Sequence, residues 1–334
     1  MWHIGIDLHR QFIVAAAVRD NGEIMPPVRI DCQNTEAIVE LVRSLMPFRA
    51  VIEASGTYRW LYDLLRPFGT MLLAHPLRLR AMIQRRSKTD KLDSQLLANL
   101  LRINQIPLAY VPPEPYQQLR DLTRCRAKLA QDRAEAKIKL RDMLARNNMI
   151  SPFKTPFGPR GQAWFRRQDF GLIGNMFRDE LLARLEHFNR QIDGFDAQLA
   201  RLQPAFPQTE ALTDIHGIGV YSALLIVAEL GEVERFCAAK QVGAYAGLTS
   251  RVHQSGGHCY QGSITRQGSP WLRWILVEAA MKTIREDEAL KNFYTRVRKR
   301  SSAKIARVAT ARKLAEICWK RLRRWQREHV EKVA

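Results

Sequence analysis

Four carboxylates stand out against a basic background. The chain has 334 residues, with 53 Lys+Arg against 33 Asp+Glu, a formal charge of +20. Asp7 closes the apolar run Ile4-Gly5-Ile6, and Glu53 closes Ala50-Val51-Ile52. Asp90 and Asp93 lie in Lys88-Thr89-Asp90-Lys91-Leu92-Asp93, at the head of a run through Leu96, Leu97 and Leu100. Their spacing of three puts both on one helix face. Four such groups brought together repel one another unless a cation sits among them. Hard oxygen donors suit Mg²⁺ or Mn²⁺. Two such ions about 4 Å apart activate a nucleophile and stabilise the leaving oxygen in phosphodiester cleavage. Each residue alone also has an ordinary reading: Asp90 as a helix N-terminal charge, Asp93 as a solvated one, Glu53 as a strand-end residue. The joint placement carries the argument.

Two further patterns bear on nucleic acid. Gly217 and Gly219 directly precede an apolar helical run, where backbone N–H groups can approach a phosphate; a turn between helices is the plain alternative. This resembles the helix-hairpin-helix grip on a backbone, which does not read sequence. The C-terminal stretch is basic from Arg296, Arg298 and Arg300 through Arg321, Arg323 and Arg324, interleaved with Tyr294, Trp319 and Trp325. Cations beside aromatics suit single-stranded or bulged nucleic acid, although charge runs are commonly solvated faces. Arg78, Arg80, Arg85, Arg86 and Lys88 add charge near the acidic cluster.

The elements that must position these groups follow from hydrophobic period. Ile4 to Asp7, Phe12 to Val18, Met25 to Asp31, Ala50 to Glu53 and Met71 to Ala74 read as strands. Thr35 to Met46 and Tyr58 to Arg66 read as helices. The order β-β-β-α-β-α-β-α predicts an α/β layer with a mixed sheet, and strand ends in such sheets are where sites assemble. Pro112, Pro113 and Pro115 mark its end. Leu181, Leu185, Phe188, Ile192, Phe195, Leu199 and Leu202 alternate spacings of four and three, a heptad seam for half of a helical hairpin or an oligomer contact. The helix from Tyr116 to Asn147 matches less well, because Arg126 and Arg133 interrupt its seam. Three regions result: residues 1–110, an α/β catalytic domain; 111–205, a coiled-coil arm; and 206–334, a mainly helical domain with a basic tail.

Several classes are set aside. The longest apolar runs fall far short of the ~20 residues of a membrane span. The N-terminus lacks a basic region and cleavage site, so no signal peptide is expected. Five scattered cysteines with no Cys-x-x-Cys pair indicate neither a disulfide framework nor a zinc ribbon. A cytoplasmic, nucleoid-associated protein is expected. No Gly-x-x-x-x-Gly-Lys-Ser/Thr loop is present, so ATP is not implied.

The order of elements resembles the ribonuclease H-like fold of Holliday-junction resolvases, whose first catalytic Asp lies on the first strand. Ile6-Asp7, Glu53-Ala54-Ser55-Gly56-Thr57-Tyr58 and Lys88 to Asp93 together resemble the Asp-Glu-Asp-Asp (DEDD) transposases of bacterial insertion sequences. This is the IS one-ten family, which includes Piv-type DNA invertases. The C-terminal half matches independently, through Gly217-Ile218-Gly219, Glu229-Leu230-Gly231, Ala244 to Leu248, Gln254-Ser255-Gly256-Gly257 and Gly262 to Arg273. Arg266 and Arg273 in the last motif are candidate nucleic-acid contacts, with Arg298 and Arg300. Leu8-His9-Arg10 departs from the small or amide residues that often follow the first Asp, and His9 reads as a strand-end side chain.

The resemblance implies a RuvC-like catalytic domain with a divalent cation and a C-terminal serine acting as covalent nucleophile. It implies donor and target DNA, a noncoding bridge RNA that pairs with both, and a dimer or tetramer. Ser255 is the first choice of nucleophile and Ser250 the second; by pattern alone, Gln254 to Gly257 is a loop and most Ser-Gly-Gly runs are turns. Serine needs activation, and the sequence shows no obvious base. Two rivals remain: a junction-resolving nuclease that uses the same carboxylates to activate water, and a non-catalytic nucleic-acid scaffold, against which the four intact acidic positions argue.

Overall fold

The computed structural model describes residues 1–82, 90–255 and 258–330. The chain divides into two compact units, Met1–Val111 and Pro112–Ala334.

The first unit opens with β1 (Trp2–Leu8), β2 (Phe12–Arg19) and β3 (Ile24–Asp31), followed by α1 (Thr35–Ser44) and β4 (Phe48–Glu53). Then come α2 (Tyr58–Leu65), β5 (Thr70–Ala74), α3 (Pro76–Met82) and α4 (Asp90–Arg102). The five strands form one mixed sheet in the order β3-β2-β1-β4-β5. β2 is antiparallel to both β1 and β3, whereas β4 is parallel to both β1 and β5. β3 lies at the edge, which is why Pro26 and Pro27 are tolerated within a strand.

Alternation along β1 and β4 gives the sheet two working faces. Ile4, Ile6, Ala50 and Ile52 pack with Ile38 and Val42 of α1 and Leu61 and Leu65 of α2. On the other face Val51 packs with Leu97 and Leu101 of α4. Gly5 is required there: a Cβ would lie 2.1 Å from the Ser94 carbonyl oxygen and 2.4 Å from the Ala98 nitrogen. The helix backbone therefore rests directly on β1. The absent side chain allows α4 to approach this closely.

The second unit begins with α5 (Glu114–Arg146), α6 (Pro159–Arg167) and α7 (Gly171–Leu202). It continues with α8 (Glu210–Thr213), α9 (Val220–Leu230), α10 (Ala239–Tyr245) and the hairpin β6 (Ser250–Ser255) and β7 (His258–Ile264). The chain ends with α11 (Pro270–Thr283), α12 (Glu288–Arg300) and α13 (Ala303–Val330). Helices α5 and α7 form an antiparallel pair. Leu181, Leu182 and Leu185 pack with Leu140, Met143 and Leu144 at one end, around Phe165 of α6. Leu199 packs with Leu119, Leu224 and Ala228 at the other.

The seam residues Leu185, Ile192 and Leu199 are thus buried within the chain. The arginines that interrupt the facing helix are answered across the pair. Arg126 makes a bidentate contact with Asp196, at 2.9 and 2.8 Å, and Arg133 donates to Asn189 at 3.2 Å. The base of α5 is held by α9. Arg120 donates to the carbonyls of Ala228 (2.7 Å) and Glu229 (2.8 Å), while Arg124 forks onto the buried Glu229 carboxylate at 2.7 and 2.9 Å. The core of this unit gathers α9, α10, α11 and α13 around Leu225, Leu276 and Leu314.

Candidate active site

Ile6 of β1 pairs with Ile52 of β4, so Asp7 and Glu53 lie one residue past the last ladder pair of two parallel strands. Neighbouring strands are ~4.8 Å apart. Both residues alternate away from the isoleucine face and so share the α4 side with Gly5 and Val51. Asp90 and Asp93 occupy the first turn of α4. The fold therefore brings the two strand ends and the helix start to one edge of the sheet, and Gly5 lets the helix descend to them.

The electrostatics bear this out for the groups nearest β1. The Asp7 carboxyl is raised above its ordinary 3.8, first by burial, with Asp90 and Asp93 also raising it and His9 opposing them. His9 Nε2 stands 3.1 Å from Asp7 Oδ2 and 3.4 Å from Asp90 Oδ2. One donor atom each from Asp7, His9 and Asp90 fall within 4.8 Å of one another. A carboxylate raised first by burial and then by its like-charged neighbours, beside two more donors, fits a hard divalent cation. His9 was legible only as a strand-end side chain. Its parity with Asp7, two residues earlier at the end of β1, is the signal that places it on the same face.

The serines fall at opposite ends of one strand. Ser250 begins β6, opposite Ile264, and Ser255 ends it, opposite His258. About five residues at ~3.3 Å each separate them, so only one can meet a given phosphate. Gln254 and Ser255 belong to the strand rather than to a loop, because ladder pairing with Cys259 and His258 continues to the hairpin end. Gly256 and Gly257 lie outside the described residues, as does the side chain of Ser255.

The glycine turn has two jobs. Gly217 has φ +90°, and a Cβ there would lie 2.7 Å from Lys282 Cβ and 3.0 Å from the Thr283 nitrogen, so it serves packing against α11. Gly219 caps α9 with no side-chain acceptor and open space around it. Arg273 donates to the Ala246 carbonyl at 3.1 Å, and burial followed by the adjacent Arg266 lowers its pKa. Arg298 and Arg300 are exposed in the last turn of α12. Arg78 and Arg80 are exposed on α3, whereas Arg85, Arg86 and Lys88 lie outside the described residues. Trp319 is half-buried: its ring packs on the helical core, its Nε1 donates to the Val233 carbonyl at 3.1 Å, and the Arg323 guanidinium lies 5.9 Å from its centroid. Trp325 is stacked on His329. The helical period turns Trp319 partly inward, while Lys320, Arg321 and Arg324 stay exposed. Among the described residues no helix is long and apolar enough to cross a membrane.

Comparison with known proteins bears on both units. Residues 4–149 match a family model described as Transposase, of the DEDD, IS110 type, and residues 209–295 match the Transposase IS116/IS110/IS902 family. A Pseudomonas aeruginosa protein named "Probable family 20 transposase" is 25% identical over 96% of both chains. The transposase for insertion sequence element IS1111A of Coxiella burnetii is 22% identical, over 96% of this chain and 89% of its own. The transposase for IS1328 of Yersinia enterocolitica is 25% identical, over 70% and 71%.

Proposed function

The chain belongs to the IS110 family of insertion-sequence transposases, and from that premise we propose that it is an RNA-guided DNA recombinase working through a serine-linked intermediate. The convergence of Asp7, Asp90 and Asp93 beside the end of β4 is the observation that carries the reading. Asp7, Glu53, Asp90 and Asp93 would hold Mg²⁺ or Mn²⁺, which when bound supplies positive charge to a scissile phosphate. The chain's own part is positional: β1, β4 and α4 fix the carboxylates before DNA arrives. The Ser255 hydroxyl attacks phosphorus, so that an Oγ–P bond forms as one P–O bond to deoxyribose breaks. The reverse attack by an incoming strand religates, and the phosphodiester energy is kept without ATP.

Gly219 at the head of α9, Arg266, Arg273, Arg298 and Arg300 supply backbone contacts to donor DNA, target DNA and the bridge RNA. Gly217 shapes the same turn. Two duplexes require more than one chain, and the exposed Leu172, Ile173, Met176 and Phe177 of α7 offer apolar surface for a dimer or tetramer. The domain roles follow: residues 1–110 catalytic, 111–205 the arm, 206–334 the serine-bearing part. The protein works in the cytoplasm on nucleoid DNA.

Incubation with DNA, guide RNA and Mg²⁺, followed by a denaturing gel, tests this. A protein-linked DNA band is expected. Free nicked ends without it would make the protein a water-using, RuvC-like nuclease, and binding without cleavage would leave only a scaffold.

A further inference from the structure

We infer that His9 is a nitrogen ligand of the acidic centre, and that it tilts the centre's preference from Mg²⁺ towards Mn²⁺. The inference rests on the metal-binding reading above and adds a donor that departs from the carboxylate set.

The placement is built, not incidental. β1 and β2 are joined by a short hairpin, closed where the His9 N–H donates to the Phe12 carbonyl at 2.9 Å. Cys32 Sγ lies 3.7 Å from the His9 carbonyl and ties the turn to the chain just after β3. Asp7 pairs with Val14, and Val14 with Arg29, so these three form a row across one sheet face. Phe12 shares that face by alternation. The His9 ring stacks on Phe12 with centroids 4.6 Å apart and planes at 28°. The Arg29 guanidinium lies 3.6 Å from the Phe12 centroid and holds that platform in turn. The imidazole is thus oriented by packing, with Nε2 aimed between two carboxylates.

The distances discriminate. Nε2 is 3.1 Å from Asp7 Oδ2 and 3.4 Å from Asp90 Oδ2. A single N–H cannot point well at both. Ligand atoms at ~2.0–2.2 Å from one ion, however, stand roughly 3.0–3.4 Å from their neighbours in octahedral or tetrahedral arrangement. One ion would engage all three lone pairs together. Imidazole favours transition-metal ions, while Mg²⁺ prefers oxygen donors and retained water.

The test uses the full chain and Mn²⁺ alone, observed by electron spin-echo envelope modulation and by binding titration. Wild-type protein should show directly coordinated ¹⁴N, absent from His9→Gln. The variant should bind Mn²⁺ about tenfold more weakly and Mg²⁺ less than about threefold so. The wild-type spectrum needs no variant to fold. A wild-type spectrum without ¹⁴N coupling, with Mn²⁺ binding abolished by Asp7→Asn, would overturn the role of His9 and leave the acidic centre standing. Tighter Mn²⁺ binding by His9→Gln would also overturn it, making His9 a counter-cation that metal displaces. Mn²⁺ binding indifferent to Asp7→Asn, or none at all, would sink both readings.

Discussion

In the roles proposed for them, the acidic centre and the serine hairpin solve opposite problems. The carboxylates come from β1, β4 and α4, elements locked by two cores on the two faces of a five-stranded sheet. The serines sit on β6, which among the described residues pairs only with β7, in a two-stranded sheet. A two-stranded ribbon has little stability of its own, whereas a covered five-stranded sheet is rigid. Like charges must be prepositioned, because their repulsion would scatter them from any looser frame. A neutral hydroxyl carries no such penalty and can be delivered by an element that adapts to its substrate.

That contrast can be broken most sharply by chemistry. Asp7→Asn should lower strand cleavage by about a thousandfold or more, since several kcal/mol of transition-state stabilisation pass through the metal site, while RNA binding stays within about twofold. Ser255→Ala should remove the protein–DNA adduct and leave Mn²⁺ binding unchanged. If Ser250→Ala loses the adduct and Ser255→Ala keeps it, the nucleophile lies at the other end of β6.

Gly5→Val should cost roughly 3 kcal/mol by denaturant unfolding, because the new side chain meets α4 backbone rather than a movable tip. Loss of Mn²⁺ binding should accompany it, and an unchanged stability would remove Gly5 as the spacer. Glu229→Gln should cost about 2 kcal/mol by halving a buried bidentate pair with Arg124, with Mn²⁺ affinity unaltered.

The smallest effect is on pH. Asp7 is raised in the fold, so the unfolded chain releases this proton first and metal-free stability falls as pH climbs from 3.8 through the folded value. Asp7→Asn should therefore raise metal-free stability at neutral pH, read as a higher melting temperature. A lower melting temperature would show that His9 outweighs the burial.

The sheet and its strand ends were legible because alternation and turn residues report on a local period. The glycine spacer was not, since Gly5 within Ile4-Gly5-Ile6 looks like any small strand residue until the helix over it is known. His9 looks incidental in the sequence for a similar reason: its partner Asp90 lies 81 positions away. The arginines of α5 looked like defects in a heptad, because Asp196 and Asn189, which answer them, belong to another helix. Trp319 stands out by composition, as an aromatic among cations, while its helical phase, which packs part of its ring on the core, shows only in the structure.

The anchoring of α5 on α9 has a mechanical side. A helix of 33 residues is about 50 Å long, at ~1.5 Å per residue. Its fixed portion, from Leu119 through Arg126, lies near one end. Everything beyond is a lever whose fulcrum is the Arg120–Arg124–Glu229 clamp. Tilting the roughly 30 Å of α5 beyond it, together with the stretch of α7 packed along it, by about 10° sweeps the tip through about 5 Å, close to one helical turn. The same rotation barely displaces α9 at the clamp, yet it twists the helix whose first turn Gly219 opens. A partner pulling on the far end of the arm would thus be felt, geared down severalfold, at the backbone N–H groups proposed to hold a phosphate.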